Sequence, residues 1–166
     1  DFEPLPQAYR LIHNEADEIP GITIEIFLTY AVITYFNQGI LAHEQALIEA
    51  LQSVLKLDGI YAKYRTPEPS AVHTKLVWGE LAPEEIIIEE GKGKYAVRIM
   101  EGLMTGLFLD QRANRDWLQK HSDRKRVCNT FSYTGSLSIA CGLGNAFVTR
   151  SIDLSRTYTD WCRHNL

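Results

Sequence analysis

The sequence predicts an α/β protein: an N-terminal α+β lobe with antiparallel hairpins, followed by a β-α-β-α run forming a parallel sheet. Three observations carry that prediction. The first hundred residues contain stretches of period-2 alternation joined by short turns, the mark of half-buried antiparallel strands. A single long amphipathic helix interrupts them. Beyond about residue 100, strand-length apolar runs alternate with helix-length segments, an order that favours parallel strands with right-handed crossovers.

The elements follow in chain order. "GITIEIFL" sets Ile22, Ile24 and Ile26 against Thr23 and Glu25, as a strand with one buried face requires. "YAVITYF" follows at once, rich in β-branched and aromatic residues, so a hairpin near Thr29 is expected. "LAHEQALIEALQSVLK" spaces Leu47, Ile48, Leu51, Val54 and Leu55 along one helical face, and Asp58-Gly59 is expected to close the helix. "GIYAKYR" reads as another strand. "TPEPSAVHTKLVWGELAPEE", with three prolines and mixed polarity, reads as a loop. "EEIIIEEGKGKYAVRIM" reads as a hairpin turning at residues 91–94. After a loop with Gly102 and Gly106, a helix is expected from about Asp110 to His121, with Leu107, Leu109, Trp117 and Leu118 inward. "RVCNTFS" reads as a buried strand, "TGSLSIACGLG" as a helix ending at Gly142 or Gly144, "AFVTRSID" as a strand and "SRTYTDWCRHNL" as a helix. The lobes meet at residues 100–106, which divides the chain into 1–103 and 104–166.

Composition narrows the function classes. Apolar residues are 45% of the 166 and charged residues 23%, enough of the first to bury a core. The longest apolar runs fall far short of the roughly 18 residues a membrane helix needs, so no membrane partner is expected. The start "DFEPLPQAYR" lacks the basic-then-apolar order of a signal peptide; beginning on Asp, it is expected to lie inside a longer gene product. Cys128, Cys141 and Cys162 are an odd number without a C-x-x-C pair. That argues against a disulfide framework or a zinc site and fits a reducing cytoplasm. The five histidines show no ligand spacing, so no metal is assigned. A net charge of −4 confines any nucleic-acid contact to a local patch or another domain.

The segment with chemical content is "NTFSYTGS", Asn129 to Ser136, at the first β-α turn. In parallel sheets ligands bind outside the carboxyl ends of the strands. Gly135 permits close backbone approach, Thr134 or Ser136 could cap the helix, and the helix N–H groups face the same crevice. The next strand ends in Asp153, 18 residues beyond Gly135, near the offset at which nucleotide folds place a ribose-binding acid. A pyrophosphate needs several glycines, and Phe131 and Tyr133 stand where they would be. Adenosine carrying a small zwitterion, such as S-adenosylmethionine, suits this loop better. Spacing alone leaves an ordinary strand–helix corner equally open.

Three ordered motifs bear on that choice: "GLMTGLFLDQRANRDWL", "VCNTFSYTGSLSIACGLGNA" and "SIDLSRTYTDWCRHNL". With them the chain resembles the bacterial class I S-adenosylmethionine-dependent 23S rRNA methyltransferases over nearly its whole length. The front, "YRLIHNEADEIPGITIE", is similar to the cytosine-5 members. The back, "DLSRTYTDW", is similar to the guanine-N7 half of the large fused rRNA enzyme. The resemblance implies a Rossmann-like class I methyltransferase sheet, of which 104–166 is the incomplete N-terminal part, with 1–103 as the substrate-side lobe. It implies S-adenosylmethionine as cofactor, 23S rRNA as substrate and a cytoplasmic location. It places the cofactor against Asn129, Phe131, Ser132, Tyr133, Thr134 and Gly135, with Asp153 at the ribose and Leu154 or Ser155 beside the adenine. From "FLDQRANR" it adds Gln111 and Arg112, with Asp110 and Arg115 behind them; an Arg there could pair bidentately with a carboxylate.

The resemblance also implies that the base-contacting loop, and any catalytic cysteine, lie after Leu166. No catalytic residue is therefore assigned within the chain, and the fragment is not expected to act alone. "IEIFLTYA" departs from the family's Asp-Arg and glycine turn, which removes a basic residue from that hairpin. Cys141 and Cys162 read as core fillers, Cys128 as a poor nucleophile, and "KHSDRKR" as a solvated helix end that could touch phosphate. Two rivals stand beside this reading. One is a non-catalytic RNA-binding module with a decayed methyltransferase lobe. The other, an NAD-type oxidoreductase, is disfavoured by the missing G-x-G-x-x-G.

Overall fold

The computed structural model describes residues 5–65, 73–101 and 104–166. It divides into two compact units, Asp1–Ile86 with Arg98–Thr105, and Ile87–Val97 with Gly106–Leu166.

The first unit is a five-stranded sheet in sequential order: β1 (Ala8–His13), β2 (Ile22–Phe27), β3 (Tyr30–Tyr35), β4 (Gly59–Tyr64) and β5 (His73–Gly79). All neighbours are antiparallel except β3 and β4, which run parallel and are connected through α1 (Glu44–Val54). The alternation in β2 and β3 sends Ile22, Ile24, Ile26, Ala31, Ile33 and Tyr35 to one face, where Ile48 and Leu51 of α1 cover them. Each fully buried aliphatic side chain of this kind contributes about 1.5–3 kcal/mol. The hairpin turns at Leu28-Thr29 as the sequence predicts, with Leu28 left-handed.

Three expectations need correction here. Helix α1 ends at Val54, which is 71% exposed; the preceding Leu51 is the last side chain of the helix that packs fully. Gly59 does not close the helix but opens β4, where a Cβ would run into the Glu80 carbonyl. Within the stretch read as a loop, residues 66–72 lie outside the described residues, but His73–Gly79 pairs antiparallel with β4. β1 was likewise not evident from local pattern. It is held to β2 by its ladder and by the Arg10–Glu25 ion pair at 2.7 Å.

The hairpin of β6 (Ile86–Glu90) and β7 (Gly93–Val97) forms a two-stranded sheet. Gly93 and Lys94 belong to β7, so the turn is shorter than residues 91–94 and lies at Gly91-Lys92. In the second unit β7 packs with α3 and α4. That unit also contains α2 (Arg112–His121), β8 (Arg126–Thr130), α3 (Ser136–Leu143), β9 (Val148–Ile152) and α4 (Arg156–Asn165). β8 and β9 pair in parallel from Arg126↔Val148 to Thr130↔Ile152, so the β-α-β-α order is realised.

β8 is not buried as its composition suggests. Val127 and Asn129 are half-buried, whereas Arg126, Cys128 and Thr130 are exposed, leaving one face of this two-strand sheet open. Cys141 and Cys162 are buried core residues. Leu107 and Leu109 point inward, but Trp117 is 57% exposed and stacks on His121 at 4.3 Å. Among the described residues no helix is long and apolar enough to cross a membrane.

Candidate functional site

The chain leaving β8 makes a strained loop. Phe131, Tyr133 and Gly135 all take left-handed backbone conformations, at φ 60°, 53° and 84°. Only glycine adopts this region freely, and each aromatic residue there costs on the order of 1–3 kcal/mol. Hydrogen bonds hold the shape. Ser132 N–H donates to the Ile152 carbonyl and Gly135 N–H to the Ser132 carbonyl, both at 2.9 Å. Tyr133 N–H donates to Asp153 Oδ2 at 2.8 Å. At Gly135 a Cβ would also collide with Cys162 Sγ, so glycine is required both for its torsion and for its lack of a side chain.

Asp153 ties the ends of both strands together. Its Oδ1 accepts from Ser155 N–H at 2.9 Å while Oδ2 holds Tyr133. The backbone donors of Ser155 and then Tyr133 keep its carboxyl below the usual carboxylate range. Each oxygen retains acceptor capacity for a further donor. Ser155 caps α4 by accepting from Tyr158 N–H at 3.3 Å. Neither Thr134 nor Ser136 caps α3; Gly135 occupies that position without a side-chain bond.

Beside the loop lies a cleft of about 310 Å³. Phe108, Phe131 and Tyr133 supply its aromatic wall, and Asp110, Gln111, Ser132 and Ser136 its polar groups. Tyr133 is wedged between Phe108 at 4.9 Å and Tyr158 at 4.5 Å. Phe131, by contrast, is 91% exposed, and Leu154 beyond β9 is fully exposed. The Ser132 hydroxyl is buried and has no hydrogen-bond partner among the described residues. A buried unsatisfied hydroxyl costs about 1–3 kcal/mol.

The wall of the cleft is braced from behind. Arg115, only 1% exposed, gives Glu90 a two-point grip at 2.7 and 2.8 Å. Its remaining nitrogen donates to the Phe108 carbonyl at 2.7 Å, and its guanidinium lies over the Tyr95 ring. Arg112 adds a bond to Glu90 at 3.0 Å. Burial pushes the Glu90 carboxyl up, but the two guanidiniums outweigh it and leave it below its ordinary value. Asn165 links β7 to the loop, accepting from Ala96 N–H at 3.0 Å and donating to the Thr134 carbonyl at 2.9 Å.

The residues named from sequence thus separate into groups. Gln111, Phe131, Ser132 and Tyr133 line the cleft, and Gly135 shapes its edge. Asp153 and Ser155 hold backbone around it, with Leu154 exposed between them. Three are not brought to the cleft. The Asn129 amide donates to Ser138 Oγ at 2.9 Å, which in turn meets Ser151 Oγ at 2.7 Å. Thr134 is fully buried and donates to the Gly106 carbonyl. Arg112, like Arg115, pairs with Glu90 of the chain itself, so the expected bidentate partner is internal. Leu137 lines the cleft without having been named, while Ser136 was read only as a possible cap and Phe108 only as part of "FLDQRANR". The aromatic residue three positions before Gln111 and the first turn of α3 were the available signals.

Comparison with known proteins bears on what this cleft takes. The model of the family described as S-adenosylmethionine-dependent methyltransferase matches residues 59–166. Among curated relatives, ribosomal RNA large subunit methyltransferase I of Tolumonas auensis is 37% identical over 163 residues, covering 95% of this chain and 41% of the relative. The same-named protein of Escherichia coli O139:H28 is 37% identical over 163 residues, covering 96% and 41%. The chain therefore spans about two fifths of these relatives' length. Two solved structures superpose with a TM-score of 0.88 over 97% of this chain and 42% of theirs: a "putative sam-dependent methyltransferase from Streptococcus mutans", 31% identical, and a "putative methyltransferase complexed with SAH", 32% identical.

Proposed function

The chain belongs to the S-adenosylmethionine-dependent methyltransferases, and we propose from this premise that the protein methylates a base of 23S ribosomal RNA, at cytosine C5. The observation that carries the reading is the cleft beside the β8–α3 loop, where the buried Ser132 hydroxyl awaits a partner. Its donors and rings fit the proposed cofactor. Aromatic and apolar faces at Phe131 and Leu154 suit an adenine. The Asp153 carboxylate suits ribose hydroxyls, and Asp110, Gln111 and Ser132 offer acceptors and donors to an amino acid end. No run of glycines is needed, because this cofactor has no pyrophosphate.

When bound, S-adenosylmethionine supplies an electrophilic methyl group on a sulfonium centre. The chain's own contribution is alignment and exclusion of water. Asp153 fixes Tyr133, Tyr133 is wedged between Phe108 and Tyr158, and the Glu90–Arg115 pair sets Phe108 from behind. In this reading the N-terminal lobe, residues 1–103, serves the substrate side, apart from Ile87–Val97, which belongs to the second unit and braces the cleft, and 104–166 serves the cofactor. RNA as substrate is supported by the names of the relatives, and cytosine C5 by the similarity of "YRLIHNEADEIPGITIE" to the cytosine-5 members. A protein with this substrate works in the cytoplasm, where ribosomal RNA is assembled.

Mass mapping of 23S rRNA from a strain lacking the gene tests the reading. The expected result is loss of one 5-methylcytosine, restored by a plasmid copy. Loss of a 7-methylguanine instead would reassign the base, and an unchanged modification map would contradict the proposal.

A further inference from the structure

The first unit contains a cavity that the cofactor reading does not use. It measures about 330 Å³ and lies beyond the carboxyl ends of β3 and β4, the one parallel pair among the described strands of that sheet. Parallel pairs joined by a helical crossover leave a crevice at that end. Here the register sets Tyr35 beside Tyr64, and their rings stack at 5.5 Å with 11° between planes. The next residue of each strand, Phe36 and Arg65, carries the pattern outward: the Arg65 guanidinium lies over the Phe36 ring at 5.4 Å. Gln38 brings an exposed amide to the rim.

The chemistry of this lining is selective. Among the described residues that line the cavity Arg65 is the only charged one, so this lining favours a neutral or anionic guest. Glu44 sits behind the wall, accepting from the Tyr64 hydroxyl at 2.8 Å. Burial and that bond push the Tyr64 phenol up to about 12, so the wall stays uncharged. Phe36 is 37% exposed, an apolar face open to a planar group. Aromatic faces, a guanidinium and an amide together are the means by which proteins hold an unstacked base and its phosphate.

We infer that this cavity seats one unstacked nucleotide of single-stranded RNA, its base against Phe36 and its phosphate at Arg65. The inference rests on the proposal that the protein acts on RNA. It adds a second point of grip, on the substrate-side lobe, separate from the cleft that takes the cofactor.

The test uses the full-length protein, a short fluorescein-labelled single-stranded RNA of mixed sequence, and titration with S-adenosylhomocysteine in parallel. Phe36→Ala and Arg65→Ala should each weaken RNA binding roughly tenfold, while Phe36→Tyr keeps the affinity because it keeps the stacking face. S-adenosylhomocysteine affinity should not change in any of the three, which shows that the fold is intact. RNA affinity independent of Phe36 and Arg65 overturns the inference, as does an equal loss against a duplex of the same sequence, whose bases are not free to enter. Failure of the wild-type protein to bind S-adenosylhomocysteine would instead strike the methyltransferase reading, whatever the RNA titrations give.

Discussion

Glu90→Ala lowers the stability of the second unit by about 3–5 kcal/mol, because it strands a buried guanidinium. Arg115 is 1% exposed and, among the described residues, keeps only the Phe108 carbonyl and the Tyr95 ring once Glu90 is gone. Urea unfolding of the full-length protein, followed by tryptophan fluorescence, reads the effect as a large fall in midpoint. The double variant Glu90→Leu with Arg115→Met recovers most of the loss, since well-packed apolar residues replace a buried pair at little cost. If the double variant is no more stable than the single one, the pair is not what braces the cleft. The acid dependence follows from the same pair. Glu90 titrates below its ordinary 4.5 in the folded protein. A carboxyl depressed in this way stabilises the fold above its unfolded value, and that contribution is lost as pH falls through the folded one. Wild-type stability should therefore decline below about pH 4.5, and the double variant should lose this part of the decline.

Asp153→Ala weakens cofactor binding about 10- to 150-fold, the worth of roughly 1.5–3 kcal/mol for hydrogen bonds to a charged group. Two effects combine. The carboxylate offered to the ligand disappears, and Tyr133 N–H loses the acceptor that keeps its backbone left-handed. Without that anchor the aromatic wall between Phe108 and Tyr158 can relax. Asp153→Asn keeps one acceptor and should fall between the wild type and Ala. Calorimetric titration of S-adenosylhomocysteine into the full-length variants checks the order, and an unchanged affinity for Asp153→Ala removes this residue from the site.

How much of this was legible in the sequence depended on how local each cause is. β2 and α1 announce themselves because one face of each packs against a single core, so burial writes a period into the residues; β3, buried on both faces at Ala31, Val32 and Ile33, shows instead in its β-branched and aromatic composition. The β8-α3-β9-α4 order was readable for the same reason. The edge strands were not: β1 carries Arg10 into an ion pair and β5 mixes Thr74, Lys75 and Trp78, so neither shows a clean alternation. β8 has the composition of a covered strand, and in this chain, which spans about two fifths of its relatives' length, one of its faces is exposed. Around the site, the loop and Asp153 could be found because their spacing is short and their geometry repeats across parallel sheets. The Glu90–Arg115 brace could not, because 25 residues separate partners that share no periodic pattern. Asn129, Thr134 and Arg112 each bond to a group elsewhere in the chain, and partners so far along the sequence leave no local signal.

The central claim is that the cleft formed by Phe108–Gln111 and the Phe131–Gly135 loop holds S-adenosylmethionine. Its most direct test is titration of S-adenosylhomocysteine into isotopically labelled full-length protein, with amide shifts mapped along the chain. The account predicts saturable one-to-one binding, with the largest shifts at residues 108–111, 131–137 and 153–155. Absence of binding at high micromolar concentration, or saturable binding whose shifts leave those segments unmoved, would contradict it.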